Sequence, residues 1–131
     1  MQLLRRVLYL QAALAALGGL VLVFLPGLVV SIFNLTPSAE SAWIRLMGIQ
    51  SLTLAMLAVL IAQAIEEKWW WTWAFVFGNT AVATFTILKG ALGLTSASSR
   101  WFWIAYGAGH AVLALLELAG IGRTGQERVP G

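Results

Sequence analysis

Residues 43–65 read WIRLMGIQSLTLAMLAVLIAQAI. This run of about 23 residues is long enough, as a helix, to cross a bilayer with some tilt. Its one charge is Arg45, close to the start. Gly48, Ser51, Ala55, Ala58 and Ala62 recur at three- and four-residue steps and so share one side of a helix. Small residues on one side let a neighbouring helix approach closely in lipid. The stretch is therefore expected to be the central packing helix of a membrane bundle, with Arg45 heading its inward-facing side.

The rest of the composition agrees with that reading. The sequence has 131 residues, of which 60% are hydrophobic and 10% charged, and the mean hydropathy is +0.87. Soluble domains carry roughly 25% charged residues, and a short soluble chain cannot bury this much apolar surface. A polytopic membrane protein leaves that surface against lipid. The fold class implied is all-α: an integral membrane four-helix bundle forming a single domain. The net charge is +3, spread between apolar segments, which argues against nucleic acid as a partner. With no cysteine, disulfides, thiol redox chemistry and cysteine metal sites are excluded.

Outward from the central stretch, spans are expected at about 5–25, 43–65, 69–92 and 101–121. Residues 7–25 exceed the apolar core of a cleaved signal peptide, so the first helix is expected to be retained. Pro26-Gly27 interrupts it, and residues 26–33 are expected to form a short interfacial helix. Thr36-Pro37 has the form of a helix start, and Asn34-Leu35-Thr36 fits a glycosylation sequon. Glu66-Glu67-Lys68 makes a minimal loop joining antiparallel helices. Trp69, Trp70, Trp71 and Trp73, and then Trp101 and Trp103, are placed as interfacial anchors. Gly120 and Gly122 are expected to stop the last helix, leaving 122–131 as a loose polar tail. Arg5, Arg6, Lys68, Arg123 and Arg128 fall on one side, against Arg45, Lys89 and Arg100 on the other. This favours cytoplasmic termini in a multi-pass membrane protein.

Polar groups within the spans are the candidate functional residues. Arg45 and Lys89 both come near the outer surface. They are either snorkelling anchors or a shared cationic site for a lipid phosphate or another anion. On the third span, Thr72, Asn79, Ala83, Thr86 and Gly90 form a polar and small seam suited to interhelical hydrogen bonds. His110 lies about 14 Å into the fourth span, at the depth of Asn79, its possible partner. Tyr106-Gly107-Ala108-Gly109 precedes it and would leave the turn beneath the ring nearly bare, so that the imidazole could reach a haem or chlorophyll. Glu117 shares a face with His110. It is either a hydrogen-bonded or snorkelling acid, with Arg5 or Arg6 as a possible neighbour, or a step in a proton path running through Glu117, His110 and Asn79. No catalytic motif, phosphate loop or helical metal-binding pair is present, no cofactor is required by the sequence, and an enzyme is the least supported reading.

The long first helix ending in Leu25-Pro26-Gly27, the short apolar piece after it, Trp43-Ile44-Arg45-Leu46-Met47-Gly48 and two further helices resemble the small four-helix bacterial membrane proteins grouped as DoxX-like. The resemblance covers roughly residues 5–121. It implies an inner-membrane bundle and, because some members accompany respiratory quinol oxidases, an accessory role; it transfers no active-site residue. The leading expectation is an accessory or interaction subunit of a larger membrane complex, with lipids and other subunits or further copies of itself as partners. The alternative is a binding or transport bundle for a small hydrophobic or anionic ligand such as a quinone or lipid, built on Arg45, Asn79, Lys89, His110 and Glu117. Pigment or haem attachment through His110 is the third.

Overall fold

The computed structural model describes residues 1–33, 40–93 and 97–128, without the side chains of residues 33, 40, 41, 43, 97–99, 127 and 128. It is an all-α helical bundle. The elements are α1 (Gln2–Phe24), α2 (Pro26–Phe33), α3 (Glu40–Gln63), α4 (Ile65–Lys68), a 3-10 turn (Trp69–Trp71), α5 (Thr72–Ala91) and α6 (Ala97–Arg128). Among the described residues, four stretches are long and apolar enough to cross a membrane: Gln2–Phe24, Ile44–Gln63, Ile65–Ala91 and Arg100–Gln126. The chain is thus a multi-pass membrane protein. The expected Thr36-Pro37 helix start and the Asn34 sequon lie outside the described residues.

The break at Pro26 falls where the missing backbone donor predicts. α1 ends at Phe24 and α2 starts at Pro26, where proline fits the first helical position. Glu66-Glu67-Lys68 is not an open loop. It forms the helical turn α4, which leads through the tryptophan 3-10 turn into α5. Trp70, Trp71, Trp73 and Trp101 are exposed, as interfacial rings should be.

The last helix is longer than its glycines suggest. α6 passes through Gly120, Gly122 and Gly125 to Arg128. Gly120 is not a stop but a contact: a Cβ there would stand 3.1 Å from Leu4 Cα. Thr124, fully buried, donates its hydroxyl to the Gly120 carbonyl at 2.9 Å. The residues read as a polar tail are therefore mostly helix, held by burial of one side.

The contacts divide the chain into two compact units, Leu8–Leu60 and Met1–Val7 with Ile61–Gly131. In the first unit, α1 and α3 meet backbone to backbone. A Cβ on Gly19 would lie 2.9 Å from the Gly48 carbonyl oxygen, and one on Gly48 would lie 2.8 Å from that of Gly19. Ser51 Oγ donates to the Ala15 carbonyl at 2.8 Å across the same pair. Ile44, Gly48, Ala55 and Ala58 are buried along this side, whereas Arg45 is exposed. The expected inward placement of Arg45 is corrected by helix geometry. Ile44, four residues before Gly48, heads the small stripe, and Arg45 is turned about 100° from Ile44.

The second unit holds the polar groups. Within it Leu4, Ile61 and Ile65 are almost completely buried. Arg5 Nε donates to the Ala62 carbonyl at 3.1 Å, and its Nη2 lies 3.8 Å from Glu66 Oε1. That carbonyl lies in the last turn of α3, where a cation is favoured.

Gly19 and Gly18 give a sharp test of the α1–α3 contact. A Cβ on Gly18 would meet nothing within 4 Å. Gly19→Ala is expected to lower stability by about 1–3 kcal/mol through overpacking, and Gly18→Ala to leave it unchanged or slightly raised. Reversible unfolding in mixed micelles compares the two.

Candidate functional site

α5 and α6 pack antiparallel along the seam anticipated from α5. Thr72, Asn79, Ala83, Thr86 and Gly90 are all buried. The closest approach is at Gly107, where a Cβ would stand 2.6 Å from Ile87 Cγ1 and 3.0 Å from the Ala83 carbonyl oxygen. Gly107 is therefore the crossing point of the pair, not part of a bare surface beneath His110. Thr86 satisfies its hydroxyl within its own helix, donating to the Val82 carbonyl at 2.7 Å.

One turn from that crossing, three polar side chains are linked. Asn79 Nδ2 donates to Glu117 Oε2 at 3.1 Å. His110 Nδ1 and Asn79 Oδ1 are 2.7 Å apart; an amide oxygen only accepts, so Nδ1 carries the hydrogen. Asn79 is 4% exposed and Glu117 is fully buried. His110 lies about 15 Å along the span from Arg100, near mid-membrane. Among the described residues its Nε2 has no hydrogen-bond partner, and it is not one of the buried unpartnered atoms. Glu117 Oε1 is buried and unpartnered, as is Thr72 Oγ1.

The order of the three groups corrects the expected proton path. Asn79 stands between Glu117 and His110 instead of at the end. A carboxamide has no readily exchanged acidic proton to pass on, so the link orients groups and does not conduct protons. Arg5 is engaged with Ala62 and Glu66, so the contact that would have paired it with Glu117 is not made.

Tyr106 also departs from expectation. Its ring stands against the imidazole at 4.7 Å between centroids, and Phe102 stacks on Tyr106 at 5.8 Å. The turn preceding His110 is thus filled by an aromatic ladder, not bare. The i, i+4 spacing of Phe102, Tyr106 and His110 was the available signal. Around Gly109, beside His110, the space that a Cβ would occupy is open.

The two cationic candidates fall in different units. Lys89 Nζ sits over the Trp103 ring, 4.3 Å from its centroid, a cation–π contact at the end of α5. Arg45 is exposed in the unit formed by Leu8–Leu60. Of the five candidates, Asn79, His110 and Glu117 are joined directly. Among the described residues no group of three or more His, Asp or Glu side chains is placed to hold a metal ion. A cleft of about 400 Å³ lined by Met1, Gln2, Leu3 and Arg123 shares no residue with the linked trio.

No protein-family model, no curated protein and no solved structure matches this chain.

A double-mutant cycle measures the link. Asn79→Leu leaves a buried carboxyl and an imidazole unpaired and is expected to cost about 1–3 kcal/mol. Adding Glu117→Met removes the stranded carboxyl, so the double variant is expected to be less destabilised than the sum of the singles. Strict additivity on unfolding in mixed micelles would show that the two do not act as a pair.

Proposed function

We propose that this protein binds a small, largely apolar molecule within the membrane, on the α6 face around His110. The observation that carries this reading is the His110–Asn79–Glu117 link. Two positions on facing helices fix one imidazole while its other nitrogen stays open. Polar side chains at membrane depth are costly. A pair made only for packing needs one donor and one acceptor, as Ser51 and Ala15 provide. Three linked groups, one with a free ring nitrogen, are more than adhesion requires. The ligand reaches the site laterally from the lipid, in which an apolar molecule is already dissolved.

An accessory role in a larger membrane assembly is the second reading, and open small residues favour it. A Cβ on Gly78 or Gly109 would meet nothing within 4 Å, and exposed small residues allow close helix packing in lipid. The resemblance to DoxX-like proteins supports the same role. The distribution of basic residues supports both termini in the cytoplasm, and the resemblance supports a bacterial inner membrane. The two readings are compatible, with a ligand site on one subunit of a larger complex.

Native mass spectrometry after detergent-free extraction tests both. A small-molecule adduct present in the wild type and absent from a folded His110→Leu variant is the expected result for binding. An adduct unaffected by His110→Leu, or no adduct, would reject it. Co-extracted polypeptides would establish the assembly.

A further inference from the structure

The link at His110 has a direction, and that direction restricts the chemistry of the ligand. In the structure the NH2 edge of Asn79 faces Glu117, donating to Oε2 at 3.1 Å. The amide oxygen then faces His110, and it can only accept. The hydrogen is therefore on Nδ1, and in a neutral imidazole Nε2 carries a lone pair and no hydrogen. Glu117, which lies on α6 with His110 and is joined to it only through Asn79, thus sets the tautomer of His110 through an amide on α5.

We propose that the site recognises an apolar aromatic molecule bearing a hydroxyl, a phenol or hydroquinone, whose O–H donates to His110 Nε2. This rests on the reading of the protein as a binder of small apolar molecules. Two observations point to the ligand class independently. Nε2 is an open acceptor in surroundings where acyl chains offer no donor, so ordinary lipid cannot satisfy it. Tyr106 and Phe102 form an exposed aromatic ladder that runs to the imidazole, and offset aromatic contacts favour a ring-bearing ligand over an aliphatic alcohol. An acceptor-only molecule, such as a quinone or an ether, would meet Nε2 lone pair to lone pair and is disfavoured. Asn79 and Glu117 are positioning residues: they touch no ligand, but the polarity of the site depends on both.

His110 is the single histidine of the chain, so 15N-histidine labelling gives one pair of ring resonances. In lipid nanodiscs the wild type is expected to show Nδ1 protonated and Nε2 bare. A dominant Nε2–H form overturns the proposal. Glu117→Gln replaces the carboxyl with an amide that can turn its NH2 edge toward Asn79, and is expected to yield a mixture of tautomers. An unchanged spectrum in a folded Glu117→Gln variant removes its positioning role, and if that variant does not fold the wild-type spectrum still decides the tautomer.

The ligand class is tested by titrating the labelled wild type with three probes: para-octylphenol, its methyl ether, which keeps the ring and chain but has no donor, and octanol, which keeps a donor but has no ring. Binding of the phenol about tenfold tighter than the ether, with a shift centred on Nε2, is expected for one added hydrogen bond. Equal binding of phenol and ether overturns the donor assignment and leaves the binding reading standing. Tighter binding of octanol than of the phenol overturns the aromatic part. Binding of none of the three overturns the binding reading and this inference with it.

Discussion

A polar side chain buried in lipid has no water to fall back on, and the second unit depends on how that demand is met at Asn79. The carboxamide is a neutral group with a two-edged hydrogen-bonding pattern, donor on one edge and acceptor on the other. Placed between a carboxyl and an imidazole, it satisfies one atom of each. The backbone makes this possible. Gly107 lets α6 close on Ala83 and Ile87, and the side chains one turn away then come within hydrogen-bonding distance. A larger residue at Gly107 would separate the helices before Asn79 could reach either partner.

The two units solve the problem of association in lipid differently. Between α1 and α3 the glycines at 19 and 48 bring the backbones into contact, and one serine hydroxyl is tied to a carbonyl. Close approach and dispersion dominate there, although Gln11 Oε1 on α1 is buried without a hydrogen-bond partner among the described residues. Between α5 and α6 close approach at Gly107 is combined with a buried acid, an amide and an imidazole. Interhelical hydrogen bonds in membranes contribute about 1 kcal/mol each. A packing seam alone can be built from alanines, as small residues permit the same close approach.

Much of this architecture was legible in the sequence. The spans followed from the length of the apolar runs, the break at Pro26 from its missing donor, and the buried side of α5 from the spacing of Thr72, Asn79, Ala83, Thr86 and Gly90. The depth match of His110 with Asn79 also followed, from the rise per residue. What was hidden depended on contacts between segments remote in sequence. Gly120 resembles a helix stop until Leu4 is found against it. Arg5 resembles a candidate partner for Glu117 until the Ala62 carbonyl and Glu66 engage it. Arg45 was misplaced by a single position, since Ile44 and not Arg45 is in line with Gly48. The order Glu117–Asn79–His110 was beyond the pattern because the face of a helix fixes depth and direction, not which of two facing groups a third will reach first.

That order decides what kind of site this is. Had histidine stood between the acid and the amide, its two nitrogens would have joined them, and protons could have moved through the ring. With the amide in the middle, protons are not relayed, and the acid acts on the imidazole only by orienting what lies between. The same arrangement is used around metal-bound histidines, where a partner on the second nitrogen fixes the tautomer and ring orientation. Here a single open nitrogen, flanked by Tyr106 and by the space at Gly109, offers a lone pair of fixed direction. In the proposed reading, a buried acid that neither pairs with a cation nor passes on a proton still has a role: it orients the amide that leaves Nε2 open.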